Sequence, residues 1–433
     1  MIGANPKPPM AIPQKQAGPA PAPRVKARLN RRLRVEDDSP AFAALLRLLS
    51  PLTIDADPIV PEAALRVADL AGFWIWLGRD VAPTLVAELD KVAVEPTRGA
   101  TALKAAAPKL ADLGRHAVDK ARENEESGRR LAIQLGGDAQ LHALPMIFAV
   151  MSDFGLVDHA AEFSERLNGM HEVHDVAEEL EAMTMPDGEL RRFWFGAVAR
   201  SIANPLLFLS ACVAASGQRH IEAIKEAGYG EAFDAFLVDA QRQTLLLGDR
   251  NNLFADIDLS CRATYRFHAI ARAVRYSFEL PSMSTWAAGL TQLTREVSEA
   301  MDPMIREVTQ EVIRALRVPR EGADRMDEAS VLQAYNSLYL LATTRDCREW
   351  LALNATADRV WTETGSALEV LVEKAMERFR EAPQDPARAK RLDAAIGMSG
   401  IRFGQEYART ITRNRDAITR RRDGELEPPQ ETF

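Results

Sequence analysis

Strand signals are almost missing from this chain of 433 residues. Aromatics make up only 6%, and no stretch sustains a period-two alternation of apolar and polar side chains. Cysteine is scarce as well: Cys212, Cys261 and Cys347 stand far apart, with neither pairing nor metal-ligand spacing. That argues against a disulfide framework and a cysteine zinc site, and it fits a reducing compartment. The strongest apolar run, Pro205 to Ala215, is too short for a bilayer, which needs about 20 residues. The basic N-terminal stretch leads into Glu36-Asp37-Asp38-Ser39-Pro40 and not into an apolar core with a cleavage site, so it does not read as a secretory signal. The expected location is the cytoplasm. No phosphate loop or nucleotide fingerprint is found, and no cofactor is expected.

What the chain does have is divided charge. It holds 54 Lys and Arg against 62 Asp and Glu, a formal −8. The first 35 residues carry eight basic and no acidic residues together with seven of the 24 prolines, and residues 402–422 hold seven Arg against Glu406 and Asp416. With those stretches and the acidic 423–433 set apart, residues 36–401 hold 39 basic and 56 acidic side chains, or −17. Such a body repels polyanions, so attraction to an anionic partner has to come from the two ends.

Residues 1–38 read as a disordered Pro/Ala-rich basic arm, with too few large apolar groups to offset the entropy of ordering. Within it, Val25, Leu29 and Leu33 fall at helical spacing among Arg24, Lys26, Arg28, Arg31, Arg32 and Arg34, the pattern of a short basic amphipathic helix. Ser39 and Pro40 predict an N-cap and first-turn proline for a helix ending at Ser50-Pro51. Helical spacing continues over about 61–90, 100–135, 138–154, 157–184, 188–216, 218–246, 254–279, 283–316, 327–381 and 386–422, several of these broken. The predicted fold is all-α, a large multi-helix bundle or an irregular α-solenoid, since no repeat of fixed period is present. Its expected domains are 39–186 and 187–422, followed by an acidic flexible tail over 423–433.

Three constellations invite chemistry. On one helix over 386–422, Arg402, Arg409, Arg413 and Arg420 would fall within about 20° of a line, beside an apolar stripe of Phe403, Tyr407, Ile411 and Ile418. With the arm cluster, this basic ridge is the expected contact for a partner or for phosphate. The same charges also fit a solvated face tied by local pairs, because Glu406 and Asp416 stand three or four residues from them. His171, His174 and Glu178 would share one helix face beside Asp175, within reach of a single metal ion. His174-Asp175, with His142 upstream in a helical context, resembles the metal-binding pattern of the HD-domain phosphohydrolases at two positions, which would imply metal-dependent hydrolysis. A solvated acidic helix explains the same residues without metal.

The aromatic runs Phe73-Trp74-Ile75-Trp76 and Phe193-Trp194-Phe195 read as core, and Gly228-Tyr229-Gly230 as a turn between helices. The leading expectation is a cytoplasmic, non-enzymatic interaction protein, an adaptor, scaffold or regulator whose partner is a protein. A nucleic-acid- or anionic-membrane-binding protein using the basic ends is the second reading, and an all-α metal-dependent hydrolase the third.

Overall fold

Ala, Leu, Arg and Glu at helical spacing form helices nearly throughout the residues that this computed structural model describes, 39–248, 257–318 and 326–426. The all-α expectation holds, and the only strands among the described residues are two of two residues each. The arm, with Arg24, Lys26, Arg28, Arg31, Arg32 and Arg34, lies outside the described residues. No single helix among the described residues is long and apolar enough to cross a membrane.

The chain divides into two compact units, one running to Ala56 and resuming over Leu65–Phe154, the other made of Asp57–Ala64 and the chain from Gly155 onward. The first holds α1 (Pro40–Leu48), α2 (Val67–Trp76), α3 (Pro83–Ala93), α4 (Pro96–Arg122), α5 (Glu125–Leu135) and α6 (Asp138–Ser152). A parallel pairing of β1 (Thr53–Ile54) with β2 (Leu65–Arg66) closes it. The cap at Ser39 does more than start α1. Its Oγ accepts the Phe42 amide at 3.1 Å and the Trp74 indole N–H at 2.9 Å, and donates to Asp90 at 2.6 Å. One hydroxyl thereby ties three helices. The predicted helix over 100–135 is two helices, because the Asn124 side chain accepts from the Glu126 amide and starts α5 afresh.

The second unit holds α7 (Gly155–Asn168), α8 (Val173–Ala182), α9 (Glu189–Ser201), α10 (Pro205–Ala215), α11 (Ile221–Glu226), α12 (Gly230–Gly248), α13 (Ile257–Tyr276), α14 (Thr285–Leu316), α15 (Glu328–Asp346), α16 (Asn354–Glu381), α17 (Pro386–Phe403) and α18 (Gln405–Leu426). The expected boundary at 186 falls inside this unit, where α7 packs on α9 and α8 on α10 across it. The Pro186-Asp187-Gly188 signal marks a turn and not a domain edge. Helix α18 also runs on to Leu426, four residues into the stretch expected to be a flexible tail.

Phe193, Trp194 and Phe195 sit in the core of this unit, as their sequence predicts. Beside them Asp239, only 1% exposed, is held by Arg200 at 3.1 Å, Arg266 at 2.9 Å and Gln243 at 3.2 Å. Arg266 also donates to the carbonyls of Ile202 at 2.7 Å and of Ala199, while Asn168 bonds Ser201 O and the Ala203 amide. The turn from α9 to α10 is therefore pinned from both sides by side chains, which satisfies carbonyls a helix end would otherwise leave open.

Candidate functional site

The predicted basic ridge is altered by one glycine. Gly404, at φ 96°, ends α17, and α18 starts a new helix direction at Gln405. Arg402 consequently belongs to α17 and does not share a face with Arg409, Arg413 and Arg420, which corrects the four-arginine line. Its guanidinium lies 4.2 Å from the Trp361 ring and 4.9 Å from Phe403, and its Nε–H donates to Trp361 O at 2.9 Å. Gly365 makes the room, since a Cβ there would come 2.6 Å from the guanidinium. Burial, and then the nearby charge of Arg345, lower the Arg402 pKa. This arginine is internal glue.

Replacing it by lysine removes the planar stacking and the Nε donor, and is expected to cost about 1–2 kcal/mol in denaturant unfolding. Arg409→Lys, at an exposed site, is expected to stay within about 0.5 kcal/mol of wild type in the same measurement.

Arg409, Arg413 and Arg420 are exposed, and neither Arg409 nor Arg413 forms an ion pair with a described residue. The local pairing expected for Asp416 goes to Arg415 at 2.8 Å, and Arg415 also reaches Asp393 on α17. Helix α18 buries Ala408 and Ile411 against α17 and leaves its arginine face to solvent.

The histidine cluster does not assemble. His171 precedes α8, which begins only at Val173, so the helical projection that joined it to His174 does not apply. His174 Nε2 stands 3.0 Å from Glu178, both exposed, and Asp175 is exposed in the first turn. His142 is on α6 of the first unit, its Nδ1 2.7 Å from Asp138 O. Among the described residues no three His, Cys, Asp or Glu side chains stand together to hold a metal.

A charged cleft that the sequence reading did not single out lies elsewhere in the second unit. The strap 57–64 crosses the unit and is held by Gln241, whose Oε1 accepts the Ile59 amide at 2.7 Å and whose Nε2 donates to Asp57 O at 2.9 Å. Beneath it a cavity of about 240 Å³ is lined by Val60, Glu62, Arg192, Lys225, Glu231 and Asp234, among others. Arg191 pairs with Glu231 at 2.9 Å, and Arg192 pairs with Glu62. Asp234 Oδ1 accepts the Trp286 indole N–H at 2.8 Å, and that indole stacks on Phe233 with centroids 4.4 Å apart.

No family model, curated protein or solved structure matches the chain. Its function is read from these sites alone.

Burial pushes the Asp234 carboxyl above its ordinary value, against the Trp286 hydrogen bond and the Lys225 charge, which lower it; Glu231 raises it and Arg192 lowers it further. The folded chain holds this proton to higher pH than the unfolded chain does. Its contribution to stability is thus complete at low pH and is lost as pH rises through the folded-state value. Denaturant unfolding across the window above the ordinary carboxylate value is expected to show a decline in wild type that Asp234→Asn reduces. An identical decline in both proteins would contradict this.

The cleft had faint sequence signals. Arg191-Arg192 precede a buried aromatic run, and Gly228 and Gly230 flank a turn. Gly228, at φ 83°, sits beneath the Arg191 guanidinium, and a Cβ on Gly230 would come 2.8 Å from Lys225 Cγ. Close approach, invisible in spacing, is what those glycines permit.

Proposed function

We propose that this protein is a non-enzymatic helical interaction protein that docks a partner protein through the exposed arginine face of α18. The observation that carries the reading is the free state of Arg409 and Arg413 on a helix that buries only a narrow strip against α17. With Arg420 they form a line of guanidinium groups fit for carboxylates on a partner surface. The arm charges from Arg24 to Arg34 would add a second contact.

A protein suits this face better than a continuous phosphate chain. Asp416 stands on the same line between Arg413 and Arg420, and the −17 body repels a polyanion. The thiols do not argue for catalysis. Burial pushes Cys347 up to about 12 and Cys212 up as well, which keeps both protonated and poorly nucleophilic. Three free cysteines suit a reducing cytoplasm.

The test is an affinity capture with full-length protein and with an arm-deleted chain, from lysates with and without nuclease and on vesicles with and without anionic lipid. A protein retained after nuclease treatment supports the proposal. Retention only with intact nucleic acid, or only on anionic vesicles, overturns it in favour of those classes.

A further inference from the structure

The cleft around Asp234 is lined by three carboxylates and two cations, and Arg191, outside the lining, adds a third cation through Glu231, so that two pairs cancel. Arg191 is matched by Glu231 and Arg192 by Glu62. Lys225 and Asp234 are left over. The Lys225 ammonium stands 5.4 Å from the Trp286 ring centre and forms no ion pair with a described residue. Asp234 uses Oδ1 for the Trp286 indole, while its Oδ2 takes no hydrogen bond from a described residue. Both groups line one cavity of about 240 Å³, with Val60 and Ala63 supplying apolar wall from the strap. That is room for roughly eight water-sized volumes.

We propose that this cleft binds a small zwitterion of amino-acid size, its carboxylate on Lys225 and its ammonium on Asp234. A ligand with only negative charge would be matched by Lys225 but would leave Asp234 without a partner. A ligand with only positive charge would be matched by Asp234 but would leave Lys225 without a partner. An apolar ligand would strip water from both unmatched groups without replacing their hydrogen bonds. A molecule carrying one charge of each sign satisfies both at once. The site uses none of the α18 residues, so it stands or falls independently of the docking role.

The experiment is thermal unfolding of the full-length protein with glycine, L-alanine, L-serine, β-alanine or γ-aminobutyrate, with propionate and propylamine as one-charge controls. At about tenfold excess over Kd, at least one zwitterion is expected to raise Tm by about 2 °C. Lys225→Met and Asp234→Asn are each expected to abolish the rise, and neither control should reproduce it. No shift with any of the five zwitterions overturns the proposal. So does a rise that persists in both variants, which is solute exclusion from the surface, or an equal rise with propionate alone. Titration calorimetry of the wild-type protein with the same seven compounds decides the matter without variants. Heat of binding from a zwitterion and from neither control supports it, and any other pattern overturns it.

Discussion

Replacing Arg266 by methionine is expected to cost the second unit about 3–5 kcal/mol, because the change leaves a buried carboxylate under-compensated. Asp239 is 1% exposed and shares its two oxygens among Arg200, Arg266 and Gln243. Arg266 is the best placed of these, since its other donors close the Ile202 and Ala199 carbonyls at the end of α9. Losing it removes the charge partner and opens the turn together. Asp239→Leu alone is also expected to destabilise, by leaving Arg266 and Arg200 without their carboxylate. The double variant should recover part of the loss, with a coupling of about 1–3 kcal/mol in a double-mutant cycle of denaturant unfolding. Simple additivity of the two changes would show that Asp239 and Arg266 act separately.

Trp194→Ala is expected to cost a comparable amount, about 3–5 kcal/mol, for a different reason. The indole is fully buried, with ring centroids 5.0 Å from both Phe163 and Phe195 and 6.2 Å from His159. Its Nε1–H finds no acceptor among the described residues. A side chain held by packing alone loses no hydrogen bond when it is replaced by another ring. Trp194→Phe is therefore expected to cost about half as much as the alanine change or less, the remainder being lost volume. Equal costs for the two, measured by urea unfolding, would show that the indole N–H carries an interaction of its own.

The elements legible in the sequence were those set by local rules. Ser39 and Pro40 start α1 because capping and proline placement are read from neighbours in the chain, and the aromatic runs are core because a helix apolar on several sides has to be covered. What escaped depended on long-range approach. A lone glycine inside a helical pattern, Gly404, is the one local sign that the helix ends there, and Arg402 reads as part of the ridge although Trp361, 41 residues earlier, holds it. The predicted helix over about 61–90 begins only at Val67, and the strap 57–64 before it belongs to the second unit, where Gln241, more than 180 residues away, holds it. Lys225 and Asp234 are ordinary surface-type residues in sequence. Only the fold of α11, α12 and α14 brings them to one cavity beside Trp286.

The docking role of α18 is tested most directly by measuring the affinity of the captured partner protein for the wild-type chain and for Arg409→Glu/Arg413→Glu/Arg420→Glu. The matched control reverses Arg129 and Arg130, which are exposed in the first unit and already paired with Glu125 and Glu126. Three reversals on the docking face are expected to weaken binding at least tenfold, or about 1.4 kcal/mol, while the control changes it less than about twofold. Equal affinity for wild type and the α18 variant, with both proteins folded, would contradict the proposal that this helix is the docking surface.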